Sequence, residues 1–232
     1  MDIAGRTALV TGANRGLGRH LVEQLRDRRA TVFAAARNPD LVKIEGVVPI
    51  QLDVTDDESI AEAAEVTSGV SILVNNAGSS TRGSLLNGPL SDIRLEMDTH
   101  YFGSLLVTRS FAPQLAEADE SVVLNILSVL SWVSFPGSGA YCAAKSAAWS
   151  MTNALRQELA SQGTRVSALH VGYMDTDMTV GIDAPKNDPA EVARVALDGI
   201  EKGEVEILAD DVSATVRAGL AHGVAGLYPQ YV

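Results

Sequence analysis

Short, β-branched apolar runs alternate along the chain with longer stretches in which apolar residues recur every three or four positions. The first pattern suits strands buried on both faces, and the second suits amphipathic helices. Strands are predicted at Thr7–Thr11, Thr31–Ala36, 47–53, Val70–Asn75, 122–127, 166–171 and 204–208. Helices are predicted between them at 15–29, 56–68, 92–117, 139–162 and 188–202, the third disturbed at Pro113. Thr55 and Glu58 stand at capping-box spacing, and Asp188 followed by Pro189 opens the last helix with an acid at N-cap and proline at N1. Strand–helix alternation of this kind specifies an α/β fold, a doubly wound parallel sheet with helices on both faces. No Pro/Gly/Ser-rich linker, repeat or low-complexity tract divides residues 1–232, so one domain is expected.

Composition narrows the function classes. Of 232 residues, 46% are hydrophobic, enough for a sizeable core. Eighteen Lys and Arg against 29 Asp and Glu give a formal charge of −11. That balance opposes nucleic-acid binding and anionic membrane surfaces, which need clustered cations. Cys142 is the single cysteine, so no internal disulfide can form, and it reads as a small buried thiol. The N-terminus lacks the pattern of a signal peptide, and no window approaches 18 uninterrupted apolar residues. A cytoplasmic protein is expected, and no metal site is assigned.

The first strand runs into "TGANRGLG", with Gly12, Gly16 and Gly18 in a strand-to-helix turn. Glycine there lets the backbone turn tightly and lets a ligand approach it closely, while the helix that follows offers unpaired N–H groups to a pyrophosphate. Arg15 lies inside this loop, and Arg37 directly follows the second strand. In a Rossmann fold an acid near the end of that strand holds the ribose 2′-hydroxyl of NAD, whereas an Arg there accommodates the 2′-phosphate of NADP. Ala35 and Ala36 occupy the acid positions, so NADP(H) is the expected cofactor. Asp53, at the end of the third strand, is either an adenine contact or a loop acid before the next helix.

The chemical groups gather at the same sheet edge. "NNAG", Asn75 to Gly78, ends the fourth strand, and "NILS" places Ser128 at the end of the fifth. In "SGAYCAAKSA", Tyr141 and Lys145 are four residues apart and share one helix face. A phenol with a pKa near 10 needs a nearby ammonium to work near neutrality. Tyr141 would then exchange a proton with a carbonyl or alcohol oxygen, Ser128 would hydrogen-bond that oxygen, and the nicotinamide would carry the hydride.

Taken in order, Thr11-Gly12-x-x-x-Gly16-x-Gly18, Asp53, Asn75-Asn76-Ala77-Gly78, Ser128, Tyr141-x-x-x-Lys145, Gly172 and Thr176 resemble the classical short-chain dehydrogenase/reductase family over nearly the whole chain. The resemblance implies a seven-stranded, three-layer Rossmann fold and a Ser128–Tyr141–Lys145 site. It implies cofactor contacts from Gly12, Asn14, Arg15, Gly16, Leu17, Gly18, Arg37, Asp53, Val54, Asn75, Ala77, Gly78, Tyr141, Lys145, Gly172, Met174 and Thr176. It also implies a homodimer or homotetramer formed through the two long helices, for which the small residues of "AYCAAKSAAWSMTNAL" allow close contact. Two positions depart from the family. His100 stands where an asparagine usually supports a water linking the lysine to solvent, so it either keeps a proton relay or weakens the site. Val171-Gly172 replaces a proline–glycine pair, which is expected to loosen that turn.

The segment 179–188, where the family carries a substrate lid, is short, and Leu130, Trp132, Phe135, Tyr173 and Met178 are candidate walls for an apolar substrate. The expected activity is NADPH-dependent reduction of a ketone or aldehyde. A β-ketoacyl carrier-protein reductase and a non-catalytic NADPH-binding sensor remain alternatives.

Overall fold

The computed structural model describes residues 1–231. Seven parallel strands form one sheet in the order β3-β2-β1-β4-β5-β6-β7. They are β1 Thr7–Thr11, β2 Thr31–Ala36, β3 Val48–Gln51, β4 Val70–Asn75, β5 Ser121–Ile126, β6 Thr164–His170 and β7 Glu206–Leu208. The helices are α1 Gly16–Asp27, α2 Asp57–Val66, α3 Leu90–Met97, α4 Ser104–Glu117, α5 Gly139–Glu158, α6 Pro189–Lys202, α7 Asp211–Gly219 and α8 Gly223–Leu227. β4 and β5 are buried at every position, which explains why their sequences are continuous rather than alternating.

Two apolar layers hold the helices to the sheet. On one face Leu21, Val22 and Leu25 of α1 pack with Val192, Ala196 and Leu197 of α6 against β1 and β2. On the other, Phe111 and Leu115 of α4 and Met151 and Leu155 of α5 cover β1, β4 and β5. The strand order reverses direction at β1, which pairs with β2 on one side and β4 on the other. Loops leaving β1 and β4 therefore diverge and open a crevice at their carboxyl ends.

Several boundaries differ from the sequence reading for local reasons. α2 is capped by Asp56, whose carboxylate accepts from Glu58 N and Ser59 N, not by Thr55. The Thr55 hydroxyl instead donates to Asp53. The long helix predicted at 92–117 is interrupted by a π-turn at Asp98–Gly103, whereas Pro113 sits inside α4. Gly103 is required there, because a Cβ would lie 2.7 Å from the Val54 carbonyl oxygen. α5 ends at Glu158, and after one 3₁₀ turn Gly163 reverses the chain at φ +80°. α7 and α8 lie beyond the predicted elements: α7 has nine residues and fully buries only Ser213, and α8 has five residues, two of them glycine. Among the described residues, no helix is long and apolar enough to cross a membrane.

Candidate active site

The glycine loop is held from beneath by the β4 turn. The Thr11 hydroxyl accepts from Asn76 N and Ala77 N, and Asn76 Nδ2 donates to the carbonyls of Thr11 and Gly12 at 2.8 and 3.2 Å. Glycine is dictated at two positions. Gly12 has φ +65° and its Cβ would lie 2.9 Å from Ala77 Cα, while a Cβ on Gly18 would lie 2.2 Å from Gly12 O. Arg15, in extended conformation at the N-cap of α1, places no side-chain cap over the first-turn N–H groups. These open donors and the bare backbone above them fit a pyrophosphate.

The other candidate cofactor positions surround this loop. Thr176 packs its methyl group against Gly16, 3.4 Å from where a Cβ would stand. Arg37 is exposed just beyond β2, and Arg15 Nη1 pairs with Asp177 Oδ2 at 3.1 Å. A groove of about 210 Å³ beside the loop is lined by Asn14, Arg19, Leu41, Lys43 and Ile44, so two further cations stand near the end of β2. Asp53 Oδ1 accepts from Thr55 N and Oγ1, closing the turn before α2. Val54 is buried against the π-turn, and Met174 packs against the core beneath α6. Leu17 is also buried, leaving its backbone to the loop. Asn75 turns inward: its amide donates to Thr108 Oγ1 at 2.9 Å and Asn125 Oδ1 at 2.8 Å, tying β4 to β5 and α4. The sequence singled out Asn75, but the side chain that braces the glycine loop belongs to Asn76.

Ser128, Tyr141 and Lys145 come together at the carboxyl end of β5. Ser128 caps a 3₁₀ turn at Val129–Ser131, accepting from Leu130 N and donating to the Val171 carbonyl at 3.4 Å, and its side chain faces the Tyr141 phenol. Lys145 is buried, donates to the Ile126 carbonyl at 2.7 Å, and has Nζ 5.6 Å from the centre of the Tyr141 ring. Burial pushes Lys145 down to about 8, partly offset by the charge of Glu96. Tyr141 lies above its ordinary value, first because it is desolvated and then because Glu96 is near, while Ser128 opposes the shift. The small residues at the start of α5 have a packing cause: a Cβ on Gly139 would lie 2.7 Å from Leu85, and Gly83 approaches Ala140. Ala143, on another side of the helix, is exposed.

His100 lies on the π-turn and is almost fully buried. Its ring meets Tyr141 edge-on, with centroids 5.1 Å apart and planes at 85°. Nε2 lies 2.9 Å from Ser79 O and 3.2 Å from Glu96 Oε2. Glu96, which the sequence reading passed over, also accepts from Ser79 Oγ and Thr81 N. A Cβ on Gly78 would lie 2.9 Å from His100 Cε1, so glycine at this position makes room for the imidazole.

The turn at Val171-Gly172, which lacks the proline, is tied down by hydrogen bonds. Val171 is buried and its carbonyl accepts from Val129 N, while Gly172 N donates to Asp210 Oδ2 at 2.7 Å. Asp210 also caps α7 through Ser213 N and accepts from Asn187 Nδ2. Burial alone would raise the Asp210 carboxyl, but these bonds hold it below the ordinary range. Its stabilising effect is therefore full above the unfolded carboxylate pKa and is lost as pH falls through the lower folded value. Asp210→Ala is expected to cost about 2 kcal/mol at neutral pH, from a lost cap and unpaired donors. Urea unfolding at pH 7 would measure it, and an unchanged midpoint would show that Asp210 does not brace the turn.

Two of the proposed walls are buried. Trp132 stacks on His170 at 3.8 Å with Arg217 on its ring, and Leu130 lies with Cys142 in the apolar cluster against which Tyr141 packs. Phe135, Tyr173 and Met178 are exposed.

A parallel sheet with this strand order and a glycine turn at its switch point defines a dinucleotide-binding α/β protein. The family profile described as short chain dehydrogenase matches residues 6–187, and the chain belongs to that family of oxidoreductases. It is similar to a short chain dehydrogenase from Burkholderia cenocepacia J2315, solved in complex with NADP. The TM-score is 0.95 at 33% identity, covering 100% of this chain and 99% of that one. It is 30% identical to the 3-oxoacyl-[acyl-carrier-protein] reductase FabG of Vibrio cholerae, covering 84% of this chain and 83% of the relative. It is 28% identical to the ketoacyl reductase HetN of a Nostoc species, covering 89% of this chain and 79% of the relative.

Proposed function

We propose that this chain is an NADPH-dependent carbonyl reductase, acting reversibly as an alcohol dehydrogenase on a small, apolar ketone or aldehyde. The observation that carries the reading is the meeting of Tyr141, Ser128 and buried Lys145 beside a glycine loop whose bare backbone fits a dinucleotide. When bound, the nicotinamide supplies the hydride. Tyr141 then gives its hydroxyl proton to the carbonyl oxygen, and Ser128 hydrogen-bonds that oxygen as charge develops. The Lys145 ammonium, held by the Ile126 carbonyl, stabilises the phenolate left on Tyr141. The first-turn N–H groups of α1 would hold the pyrophosphate, and Gly78, Gly172, Met174 and Thr176 border the crevice where the nicotinamide would lie.

Arg15 and Arg37, with Lys43 nearby, favour the 2′-phosphate of NADPH, in keeping with the NADP bound to the Burkholderia relative. Arg37→Asp is expected to raise the KM for NADPH by about 10–100-fold and leave that for NADH little changed, since a charged hydrogen bond contributes about 1.5–3 kcal/mol. Initial rates with both cofactors across aryl, aliphatic and cyclic ketones, aldehydes and ketoacyl thioesters test the whole reading. Faster turnover with NADH would refute the cofactor preference, and silence across the panel would refute the reductase.

The names of the ketoacyl reductase relatives favour a second reading, reduction of a carrier-bound ketoacyl group. A free carbonyl is preferred because an acidic carrier protein would meet a chain of net charge −11. Self-association is part of the proposal: exposed Leu95 and Phe102 beside α4 and the open small residues of α5 offer apolar contact to a second copy. A monomeric mass in sedimentation would count against it.

A further inference from the structure

Glu96 is the one fully buried residue of α3, and it is an acid. A carboxylate so placed is tolerated only if its charge is compensated. Its oxygens accept from Ser79 Oγ, Thr81 N and His100 Nε2, and these bonds outweigh burial and bring it down to about 2. His100 Nε2 lies 2.9 Å from Ser79 O and 3.2 Å from Glu96 Oε2, two acceptors that outnumber the one longer donor, Ser79 N at 3.3 Å, and we assign the proton to this nitrogen on that balance. Burial, and then the charge of Lys145, keeps the imidazole neutral by lowering its pKa. Nδ1 is left unprotonated, and among the described residues none donates to it.

The pair thus has a net negative charge, and it abuts the phenol through the edge contact of His100 with Tyr141. The titratable groups facing that phenol are few. Glu96 and His100 approach from α3 and the π-turn, and Lys145 and Cys142 from α5. Ser128, which faces it from the turn after β5, is neutral.

We propose that Glu96, acting through His100, is a fixed negative charge behind Tyr141 that balances Lys145 and keeps the Tyr141 hydroxyl protonated, setting the site for proton donation to a carbonyl. Glu96 is thereby a positioning residue, and the inference rests on Tyr141 being the proton-transfer group of the proposed reductase. The same carboxylate fixes residues 79–81, and Arg82 reaches from that loop to the Val180 carbonyl at 2.8 Å, so the charge is locked in place by the wall of the crevice.

The test is Glu96→Gln, which keeps an acceptor for Nε2–H and removes the charge. In alcohol oxidation the pH of half-maximal rate is expected to fall by roughly one unit, the size expected for one charge acting across a partly buried site. A slower enzyme with an unmoved pH profile would mean a merely structural role and would overturn the proposal. A second measurement needs no turnover. In 15N-histidine NMR of the wild-type protein, with His100 assigned by the His100→Asn variant, a neutral Nε2-protonated ring near neutral pH is expected. An imidazolium or an Nδ1-protonated ring would overturn the dyad. If no carbonyl or alcohol reacts, the reductase reading fails while the NMR tautomer still decides the geometry of the pair.

Discussion

Tyr141→Phe is expected to lower kcat for carbonyl reduction by about 10²–10⁴-fold, the range lost when a positioned general acid is removed. The substitution deletes one oxygen and leaves the ring against His100 and the Lys145 ammonium, so neither fold nor cofactor affinity has cause to change much. The loss should fall on kcat and not on the KM for the cofactor, as for an interaction made only in the transition state. Because burial and Glu96 hold the phenol above its ordinary pKa, the wild-type enzyme should reduce carbonyls across neutral pH and oxidise alcohols faster as pH rises. Steady-state kinetics of both directions would show this. A Tyr141→Phe variant keeping more than about a tenth of wild-type kcat would remove Tyr141 from the chemistry.

Gly18→Ala should be the most damaging single methyl group in the chain. In an exposed helix the change would stabilise by about 0.4–1 kcal/mol through the unfolded state. Here the new Cβ would lie 2.2 Å from Gly12 O and 2.5 Å from Asn76 Nδ2. Backbone cannot rotate away as a side chain can, so the loop must separate from α1. The N–H groups that would hold the pyrophosphate move with the loop, and losing one charge-assisted hydrogen bond of about 1.5–3 kcal/mol is expected to raise the dissociation constant for NADPH by about 10–100-fold. Gly5→Ala is the control. It also has positive φ, at +77°, but no atom lies within 4 Å of its Cβ. It should cost about 1 kcal/mol of backbone strain and leave binding unchanged. Fluorescence titration with NADPH would separate the two, and equal affinities would show that the glycine loop is not the phosphate cradle.

The parts of this molecule that could be read in advance are those set by local chemistry. β1, β2 and β4 coincide with the predicted strands because each is a short apolar run closed by a polar residue or glycine: Gly12 after β1, Arg37 after β2 and Asn75 at the end of β4. Tyr141 and Lys145 were visible because residues four apart share a helix face, and Ser128 because it ends an apolar strand run; the resemblance to the family joined the three. What escaped was decided by neighbours distant in sequence. Glu96 reads as a surface acid until residues 79–81 fold over it. Asn75 ends a strand buried at every position and Asn76 begins the turn after it, and with no alternation in such a strand the sequence does not say which amide faces the glycine loop. Trp132 became packing rather than pocket wall because His170, on another strand, stacks against it. Thr55 lost the cap of α2 to its neighbour because Asp53 takes its hydroxyl.

The strand order has a bearing on how the chain folds. β1 and β2 join Thr7 to Thr31, a closure of 24 residues, but the other edge of β1 must wait for Val70, 63 residues on. Ser128 and Gly12 come from opposite sides of that seam. Every strand pairing is parallel and needs a long crossover, a topology that slows folding and leaves apolar edges unpaired for longer. A ligand bridging the glycine loop and the end of β5 would therefore clasp the two sequence-distant halves, making refolding yield and thermal stability respond to NADPH as a chaperoning ligand.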